Sequence, residues 1–582
     1  METPSFQQLR KLLKKGTKPE GQITRIAVLG ESSTQFICQA IEGYGINQNL
    51  NLEVIEGDYD QIDISLIDPT SPFLTKKFDF ILILPSVFKL RKAYWKNNIN
   101  DSDQLITNTL DQFRSWVQSI KNHSPKTKIL LANYLELPES IFGNYGNKTS
   151  KSLVYTTRKL NLELANLSQE FDNLFILDLQ NIYQGTTLPS FSDERLYISA
   201  SLAYNLEFIP FIAKGVCDIV HALKGRVVKC LILDLDNTLW GGIIGDDGLA
   251  QIELGDLGLG KAFCEFQSWI KKLKERGLIL AVCSKNTESI AKTPFEDHPD
   301  MVLKLDDIAL FVANWENKAQ NIKFIQQTLN IGFDSMVFID DNPFERDLVR
   351  SAVPGVLVPE MPEDPTLYLS YLESLNLFET GSFSKEDEQR NSKYKAEAAR
   401  SSVAQSFESI DDYLVSLKMK MVIKPFNGLD KPRIAQLTQR SNQYNLRTIR
   451  YTESDIQEII EDDNRIGLSI SLEDKFGDYG LISVLVLNLK PDSIFIDTWI
   501  MSCRVLKRGV EHAALEHLIS LTQKINKTKI IGEYLETPKN HLVKDHYLNL
   551  GFESSEDTTW TLDTTKSELP KHFISTIPTP IS

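Results

Sequence analysis

Two aspartates separated by one residue follow a run of apolar residues near the middle of the chain. The sequence there is LILDLDNTLWGG, which puts Asp234 and Asp236 at the end of a predicted buried strand. Side chains alternate along a strand, so these two carboxylates share a face. Like charges this close repel each other unless a cation or a proton lies between them. The pair therefore indicates a metal site or acid–base chemistry.

Further polar groups follow in the same region. The stretch CSKN puts Ser284, Lys285 and Asn286 after another strand, Lys318 opens a predicted helix, and FIDDNP puts Asp340 and Asp341 after a later strand. In open α/β sheets ligands bind beyond the carboxyl ends of the strands. A cluster of carboxylates suits Mg2+, which prefers hard oxygen ligands. Together with an aspartate nucleophile, a hydroxyl and a lysine, such a site predicts phosphoryl transfer.

The elements that must position these groups alternate between strand and helix. Residues 225–375 show this alternation, and so do residues 1–224, which predicts two doubly wound α/β domains. Residues 376–400 are charged and poor in apolar residues, which predicts an exposed linker or helix. Residues 401–582 have longer strands suited to an antiparallel or mixed sheet, and we expect the tail after Trp560 to be loose.

Length and charge narrow the function classes. A chain of 582 residues is long enough for about three to four domains. Its net charge of -15 argues against a general nucleic-acid binder or a binder of anionic membranes, because both rely on basic surfaces. No apolar window is long enough to span a bilayer, and the N-terminal residues lack the apolar core of a signal peptide. We therefore expect a cytoplasmic protein.

The motifs DLDNT, CSKN, ENK and FIDDNP resemble those of the haloacid dehalogenase (HAD) superfamily of phosphotransferases. The resemblance implies Asp234 as the nucleophile and Asp236 as the general acid/base. It implies a Mg2+ cofactor at Asp234, Asp236 (through its backbone carbonyl), Asp340 and Asp341. It also implies phosphate contacts from Thr238, Ser284, Lys285, Asn286 and Lys318. Because no long insertion separates these motifs, the HAD core is predicted to lack a cap domain.

Two later stretches, MSCRVLKRGVEH and KNHLVKDHYLNLGF, resemble the GNAT acyltransferase fold, whose loop reads R/Q-x-x-G-x-G/A. The resemblance implies acyl or phosphopantetheine contacts from Arg504, Lys507, Arg508, Gly509, Asn540 and Tyr547. Lys507 stands where that loop has its first glycine. This departure argues against ordinary binding of the acetyl-CoA pyrophosphate, whereas a lysine can hold the single phosphate of a phosphopantetheine arm.

Two of the six cysteines are candidates for carrying an acyl group. Cys503 directly precedes the basic loop, whose cations and following helix start favour a thiolate. Cys283 is the competing candidate, because it is next to Ser284. Two other polar stretches, QRSNQYNLRT and DKFGDYG, either line an acyl pocket or serve only as loops.

The first domain resembles the SGNH hydrolases through LGESST, which holds Ser32 and Ser33 after the first strand. Such enzymes pair an aspartate with a histidine three residues later, near the end of the domain. The matching stretch here begins at Asp193 and has Leu196 in the histidine position. A serine without a base lacks activation. The domain is therefore predicted to be non-hydrolytic.

The chain resembles the FkbH-like proteins (HAD subfamily IIIC) across nearly its whole length, in the order of its SGNH-like, capless HAD and GNAT-like domains. The specific stretches that carry the resemblance are DLDNTLWGG, NWENK, FIDDNPFER, SNQYNL, DKFGDYGL and MSCRVL. The family implies transfer of a glyceryl unit from a substrate like 1,3-bisphosphoglycerate, through an enzyme cysteine, to an acyl carrier protein. No nucleic-acid or membrane partner is implied. Two alternatives stay open: a plain phosphatase acting on small phosphoesters, and an N-acyltransferase with an accessory HAD module. A non-enzymatic scaffold is disfavoured by the complete motif set.

Overall fold

The structure is a computed structural model. It describes residues 3–16, 19–384, 387, 390–391, 393–396, 400, 407, 409–441, 444–502, 505–537, 540–555, 558–567 and 569–578. The chain divides into two compact units, Met1–Val220 and His221–Ser582. The predicted fold class, two doubly wound α/β regions followed by an α+β region, is confirmed by three separate sheets. Within the described ranges, none of the helices combines the length and apolar composition that crossing a bilayer requires.

The first unit contains a five-stranded parallel sheet in the order β2-β1-β3-β4-β5. Its central strand reads FILIL and is buried along its whole length, as expected where helices cover both faces. The strands are β1 (Thr24–Gly30), β2 (Leu52–Glu56), β3 (Phe80–Leu84), β4 (Lys128–Ala132) and β5 (Leu174–Leu177). The helices are α1 (Phe6–Lys15), α2 (Gln35–Asn47), α3 (Ile62–Ile67), α4 (Pro72–Thr75), α5 (Val87–Lys96), α6 (Ser102–His123), α7 (Leu153–Glu170), α8 (Leu179–Gln184), α9 (Glu194–Ala200) and α10 (Ile209–Leu223).

The second unit begins with a four-stranded parallel sheet in the order β8-β7-β6-β9. Its strands are β6 (Cys230–Leu233), β7 (Ile279–Ser284), β8 (Leu310–Ala313) and β9 (Met336–Ile339). Its helices are α11 (Ile244–Asp247), α12 (Gly258–Glu275), α13 (Glu288–Asp297), α14 (Lys318–Leu329), α15 (Pro343–Ala352) and α16 (Tyr368–Leu375). Across residues 225–375, all of which the structure describes, helices of 4 to 18 residues connect the strands and there is no separate folded insertion, as the sequence predicts for a capless core.

An eight-stranded mixed sheet follows, in the order β15-β16-β14-β13-β12-β11-β10-β17. The strands are β10 (Lys420–Pro425), β11 (Arg465–Asp474), β12 (Gly477–Leu489), β13 (Ser493–Met501), β14 (Lys529–Glu533), β15 (Glu553–Ser554), β16 (Thr559–Asp563) and β17 (Ser575–Pro578). Around it lie α17 (Ile410–Ser416), α18 (Lys431–Arg440), α19 (Glu453–Glu461), α20 (Val510–Lys524) and α21 (His546–Asn549).

Strands β13 and β14 are parallel, and their pairing covers nearly all of β14 but only the first part of β13. The pairing ends at Ile496, whereas β13 runs on beyond it. There Asn445 pairs with Ile500 in an antiparallel bridge. The neighbouring Leu446 carbonyl accepts a hydrogen bond of 2.9 Å from the backbone N–H of Leu535, which follows β14. The segment around Asn445 therefore links the two strands where their pairing stops.

Two sequence expectations are wrong. The tail after Trp560 is not loose, because Ser575–Pro578 adds an edge strand parallel to β10. The stretch 376–400 is not simply exposed either. Asn391 is buried and accepts a hydrogen bond from Leu280 N, and Arg400 forms a buried ion pair with Asp474 at 2.8 Å. Charged and amide side chains in this stretch satisfy buried groups of both neighbouring sheets, which composition alone does not reveal.

Candidate active site

Four predicted site residues meet at the carboxyl edge of the four-stranded sheet. Leu233 at the end of β6 pairs with Ile339 at the end of β9, so Asp234 and Asp340 come next on adjacent strands. Ser284 ends β7, the other neighbour of β6, and Lys318 begins α14. All four polar side chains are buried. Parallel pairing therefore brings together residues that are far apart in the sequence.

One lysine holds two carboxylates at the centre of the site. Lys318 Nζ lies 2.8 Å from Asp234 Oδ2 and 2.6 Å from Asp340 Oδ2. Burial by itself lowers the pKa of a lysine, but the two carboxylates outweigh this effect and raise the pKa of Lys318. Burial and the nearby Asp234 charge raise the pKa of Asp340 to about 7, although Lys318 opposes the shift. The site is therefore short of positive charge.

A third carboxylate completes a group suited to a cation. Asp234, Asp340 and Asp341 each offer one ligand atom, and these atoms all lie within 4.8 Å of one another. Asp234 Oδ1 is buried and has no hydrogen-bond partner among the described residues. Leaving such an oxygen unpaired is costly, and oxygen ligands are those that Mg2+ prefers. These residues therefore fit a divalent cation.

The side chain of Asp236 is held apart from that carboxylate group. Its Oδ1 accepts hydrogen bonds from Trp240 Nε1 and from the backbone N–H of Ile244, both at 3.0 Å. Its Oδ2 accepts one from Asn286 Nδ2 at 3.2 Å. Burial raises the pKa of Asp236. A fixed carboxyl group that keeps its proton more readily than usual suits a general acid/base.

The loop that carries Asp341 is anchored from two sides. Thr238 Oγ1 accepts a hydrogen bond from the backbone N–H of Asp341 at 3.1 Å and lies 3.3 Å from its Oδ1. Arg346 Nη1 donates to the backbone carbonyls of Asp340 and Asp341 at 2.9 and 2.6 Å. No role was predicted for Arg346, although it belongs to the stretch FIDDNPFER. Thr238, expected to bind phosphate, contacts Asp341 here.

The other expected phosphate ligands lie beyond β7. Ser284 is buried at the strand end, and Asn286 donates to Asp236 as described. Lys285 forms an ion pair with Glu345 at 2.6 Å. Glu345 is itself buried near the start of α15, and its Oε2 has no hydrogen-bond partner among the described residues. The structure therefore gives Lys285 a carboxylate partner that the sequence did not indicate.

The geometry contradicts a nucleophilic role for Cys283. Its side chain is completely buried and packs with Cys230 and Ile232. The Cys283 thiol lies 3.8 Å from the backbone carbonyl of Lys318, and burial raises the pKa of that thiol. Side chains alternate along β7, so Cys283 and Ser284 point to opposite faces of the sheet. Adjacency in sequence was therefore misleading.

The basic loop is described only from Val505 onward, and Cys503 and Arg504 lie outside the described residues. Lys507 is exposed and has a left-handed backbone, with φ of 61°. Arg508 is buried, with its guanidinium 5.5 Å from the ring centroid of Tyr479. Gly509, also left-handed at φ 78°, is the N-cap of α20.

Two residues expected to contact an acyl group, Asn540 and Tyr547, are buried in the structure. Asn540 is completely buried, and its Nδ2 donates to the backbone carbonyls of Asn445 and Leu535, both at 2.9 Å. It thereby fixes the segment that links β13 and β14. Tyr547 is buried in the core, where its ring lies against Gly532 so closely that a Cβ there would come within 2.2 Å of it. The protein itself therefore occupies the Asn540 amide, whereas Tyr547 Oη is buried and has no hydrogen-bond partner among the described residues.

The same region holds a buried tyrosine–histidine pair that was not predicted from the sequence. Tyr444 Oη and His546 Nδ1 lie 2.7 Å apart. Tyr444 belongs to the stretch SNQYNL, which was chosen for its amides, and His546 directly precedes Tyr547. Sequence spacing cannot predict contact between residues this far apart. The available signals were that Tyr444 lies within SNQYNL and that His546 is next to Tyr547.

In the first unit, Ser33 and Asp193, which belong to the SGNH-like stretches, have hydrogen-bond partners within the protein. Ser32 is buried after β1, and its neighbour Ser33 donates its backbone N–H to the carbonyl of Ser201 at 2.9 Å. Asp193 accepts hydrogen bonds from the backbone N–H groups of Arg195 and Leu196, which makes it the N-cap of α9. Asp193 thus has a structural function in this domain.

Known proteins are similar to parts of both units of this chain. The family model for the FkbH N-terminal domain matches residues 25–221. The N-terminal part of the protein BF1531 from Bacteroides fragilis, whose crystal structure contains a phosphatase domain complexed with Mg, is 47% identical, with a TM-score of 0.62. The match covers 65% of this chain and 100% of that one. A search of curated proteins found no match.

Solved GNAT-type structures also align with part of the chain. The ribosomal-protein-S18-alanine N-acetyltransferase from Escherichia coli is 14% identical over 25% of this chain and 96% of its own, with a TM-score of 0.21. The spermidine N-acetyltransferase from Vibrio cholerae in complex with CoA and spermine is 14% identical over 25% of this chain and 97% of its own, with a TM-score of 0.21.

Proposed function

This chain belongs to the FkbH-like proteins, and we propose that it is a Mg2+-dependent HAD-type phosphatase that also transfers a glyceryl unit to an acyl carrier protein. One observation carries the phosphatase part. Asp234 has one oxygen held by Lys318 and the other buried without a partner among the described residues. The similar protein from Bacteroides fragilis, which contains a phosphatase domain and was crystallised with Mg, supports the same assignment.

Asp234 and Asp236 divide the chemistry between them. The Asp234 carboxylate attacks phosphorus, and an O–P bond forms as the bond to the leaving oxygen breaks. Asp236 gives that oxygen a proton, which its raised pKa allows it to carry. Asp236 then takes a proton from the water that hydrolyses the aspartyl-phosphate.

Charge at this site is balanced by one lysine and a metal. Lys318 faces the nucleophile and stabilises negative charge on the phosphoryl group. Mg2+, held by Asp234, Asp340 and Asp341 when bound, supplies the further positive charge that these carboxylates and a phosphate require.

The test of the phosphatase is phosphate release from p-nitrophenyl phosphate with and without Mg2+. We expect hydrolysis by the full chain with Mg2+, none in EDTA, and none from Asp234→Asn. Asp347→Asn is a matched control, because that side chain is 73% exposed on α15. Hydrolysis that persists in Asp234→Asn would contradict the assignment.

Glyceryl transfer is supported by family membership and by the capless core. Trp315, on the loop after β8, is 75% exposed, and Phe344, in the first turn of α15, is 69% exposed. We propose an acyl carrier protein as the partner that these side chains contact. In this reaction a cysteine thiolate attacks the acyl carbon of an acyl phosphate such as 1,3-bisphosphoglycerate, so that a C–S bond forms, the acyl C–O bond breaks and inorganic phosphate leaves. The Asp234 site then hydrolyses the remaining phosphate ester with water, which releases the second phosphate.

Intact-protein mass spectrometry after incubation with 1,3-bisphosphoglycerate tests the transfer. We expect a glyceryl adduct that is lost in Cys503→Ala and kept in Cys283→Ala, because the Cys283 thiol is buried. Addition of an acyl carrier protein with its phosphopantetheine arm should move the glyceryl mass to the carrier. Phosphate release without any adduct would leave the plain phosphatase as the function.

A further inference from the structure

The residues that follow β6 fold back onto Asp236. The indole N–H of Trp240 and the backbone N–H of Ile244 both donate to Asp236 Oδ1, each at 3.0 Å. A further hydrogen bond of 3.0 Å, from Gly242 N to Asn237 Oδ1, fixes the returning segment to the strand end. Oδ1 of the general acid/base is therefore held by two donors from the segment that directly follows it.

The indole ring of Trp240 is fixed by packing. It is completely buried, and the ring of Phe295 on α13 lies edge-on to it with ring centroids 5.9 Å apart. An indole N–H can only donate, and a buried one normally has an acceptor. Among the described residues, that acceptor is Asp236 Oδ1. Trp240 therefore holds one oxygen of the general acid/base in a fixed place.

The other oxygen of Asp236 has a single donor. Asn286 Nδ2 lies 3.2 Å from Asp236 Oδ2. The amide of Asn286 is itself oriented, because its Oδ1 accepts a hydrogen bond of 2.7 Å from the backbone N–H of Thr287. A carboxylate oxygen has two lone-pair positions. Both positions on Asp236 Oδ1 are filled, whereas Oδ2 has one that no described residue fills.

These donors distinguish the two oxygens of Asp236 as proton carriers. A proton on Oδ1 would face the N–H groups of Trp240 and Ile244, which cannot accept it. A proton on Oδ2 can occupy the open position while Asn286 Nδ2 still donates to the other one. When the carboxyl group carries a proton, that proton is therefore on Oδ2.

We propose that Trp240 is a positioning residue that, by holding Oδ1, assigns the acid/base chemistry of Asp236 to Oδ2. The inference rests on the proposed function, because it concerns the same phosphatase site. As the bond from phosphorus to the leaving oxygen breaks, its electron pair stays on that oxygen, which takes the proton from Oδ2. In the second step water forms a new O–P bond and gives a proton to Oδ2, and the bond from phosphorus to Asp234 breaks with its electron pair returning to that carboxylate.

The kinetic test compares p-nitrophenyl phosphate with phenyl phosphate, because phenolate is the poorer leaving group and depends more on a general acid. The quantity compared is kcat/KM, which covers the steps up to release of the phenol and excludes hydrolysis of the aspartyl-phosphate. We expect Trp240→Phe to raise the ratio of kcat/KM for p-nitrophenyl phosphate to that for phenyl phosphate about tenfold, a fraction of the ~10²–10⁴ that general acid catalysis contributes.

Trp269→Phe is the matched control. That indole packs in the same core cluster, against Phe266 and Phe378, and has no contact with Asp236 among the described residues. We expect it to leave the ratio unchanged. If Trp240→Phe does not fold, benzothienylalanine at position 240 replaces it, because this residue keeps the bicyclic ring and has sulfur in place of the N–H.

The same substitution in the Asp236→Asn background separates positioning from a general structural effect. If Trp240 acts through Asp236, Trp240→Phe should not raise the ratio further in that background. An unchanged ratio in the single variant, an equal loss of kcat/KM for both substrates, or a further rise with Asp236→Asn would overturn the proposal.

The indole N–H resonance of Trp240 gives a readout that does not depend on turnover. In the full chain with isotopically labelled tryptophan, the resonance that Trp240→Phe removes should shift in Asp236→Asn, because its acceptor is no longer a carboxylate. It should not move in Asp347→Asn. No shift in Asp236→Asn would overturn the proposal. No hydrolysis by the wild type, with the shift present, would instead contradict the proposed function and still show that Trp240 holds Asp236.

Discussion

Lys318 Nζ lies 2.8 Å from Asp234 Oδ2, and both side chains are buried. The ammonium also contacts Asp340, so one cation compensates two carboxylates. Removing one member of a buried ion pair leaves an uncompensated charge, at a cost of about 3–5 kcal/mol. The stability of this unit without metal therefore depends on Lys318.

We expect Lys318→Met to lower the Tm of the metal-free protein and to abolish phosphate release. Methionine fills a similar volume but leaves Asp234 and Asp340 without their counter-ion. The measurement is thermal unfolding in EDTA together with the p-nitrophenyl phosphate assay. Lys323→Met, an exposed lysine on the same helix, serves as the control and should change neither quantity. Equal Tm values for the two variants would show that the ion pair contributes no stability.

Mg2+ should stabilise the folded protein through the three clustered carboxylates. A ligand that binds only the folded state at 100 times its Kd adds about 2.7 kcal/mol. We expect the Tm to rise with Mg2+ in the wild type and in Asp347→Asn, and to stay constant in Asp340→Asn. A Mg2+-dependent rise of the same size in Asp340→Asn would place the cation elsewhere.

Asp236→Asn should slow turnover without unfolding the protein. The amide keeps the size of the carboxyl group but cannot exchange a proton, and loss of general acid/base catalysis costs about 10²–10⁴-fold in rate. Because Asp234 is intact, a substrate with a good leaving group should still phosphorylate it, and hydrolysis should then be slow. Intact-mass measurement should find the phosphorylated enzyme in Asp236→Asn and not in Asp234→Asn. Full activity of Asp236→Asn would remove Asp236 from the mechanism.

His546 should make the second unit less stable in mild acid. Its pKa is about 3 in the folded state and near 6.5 when exposed, so between these values the unfolded chain binds one more proton. Stability therefore falls as the pH decreases below 6.5, by up to about 1.4 kcal/mol per pH unit from this group. We expect the Tm of His546→Gln to fall less between pH 6.5 and 5 than that of the wild type.

The control His541→Gln should keep the full pH slope, because that side chain is 74% exposed and is not buried by folding. A slope in His546→Gln equal to that of the wild type would show that the imidazole is not buried in solution. Only the change of Tm with pH is compared, because the substitution also removes the contact with Tyr444 and so lowers the Tm at every pH.

The sequence by itself determined the strand ends and the chemistry at them. The alternation of apolar runs and helical stretches predicted the parallel sheets. Parallel strands bring their carboxyl ends to one edge of a sheet, so Asp234, Asp340 and Lys318 could be grouped from the sequence alone. The residues at strand ends can be predicted because the periodicity of apolar residues and the polarity of each side chain are read from neighbouring positions in the sequence.

Tertiary structure decided which polar atoms are satisfied by the protein and which are left for a ligand. It buried Cys283 behind the sheet, used Asn540 to fix a loop, and brought Tyr444 to His546 from about a hundred residues away in the sequence. No local pattern encodes these outcomes, because burial and hydrogen-bond partners depend on how distant segments pack. The motifs determined the kind of chemistry, and only the packing decided which side chains are free to perform it.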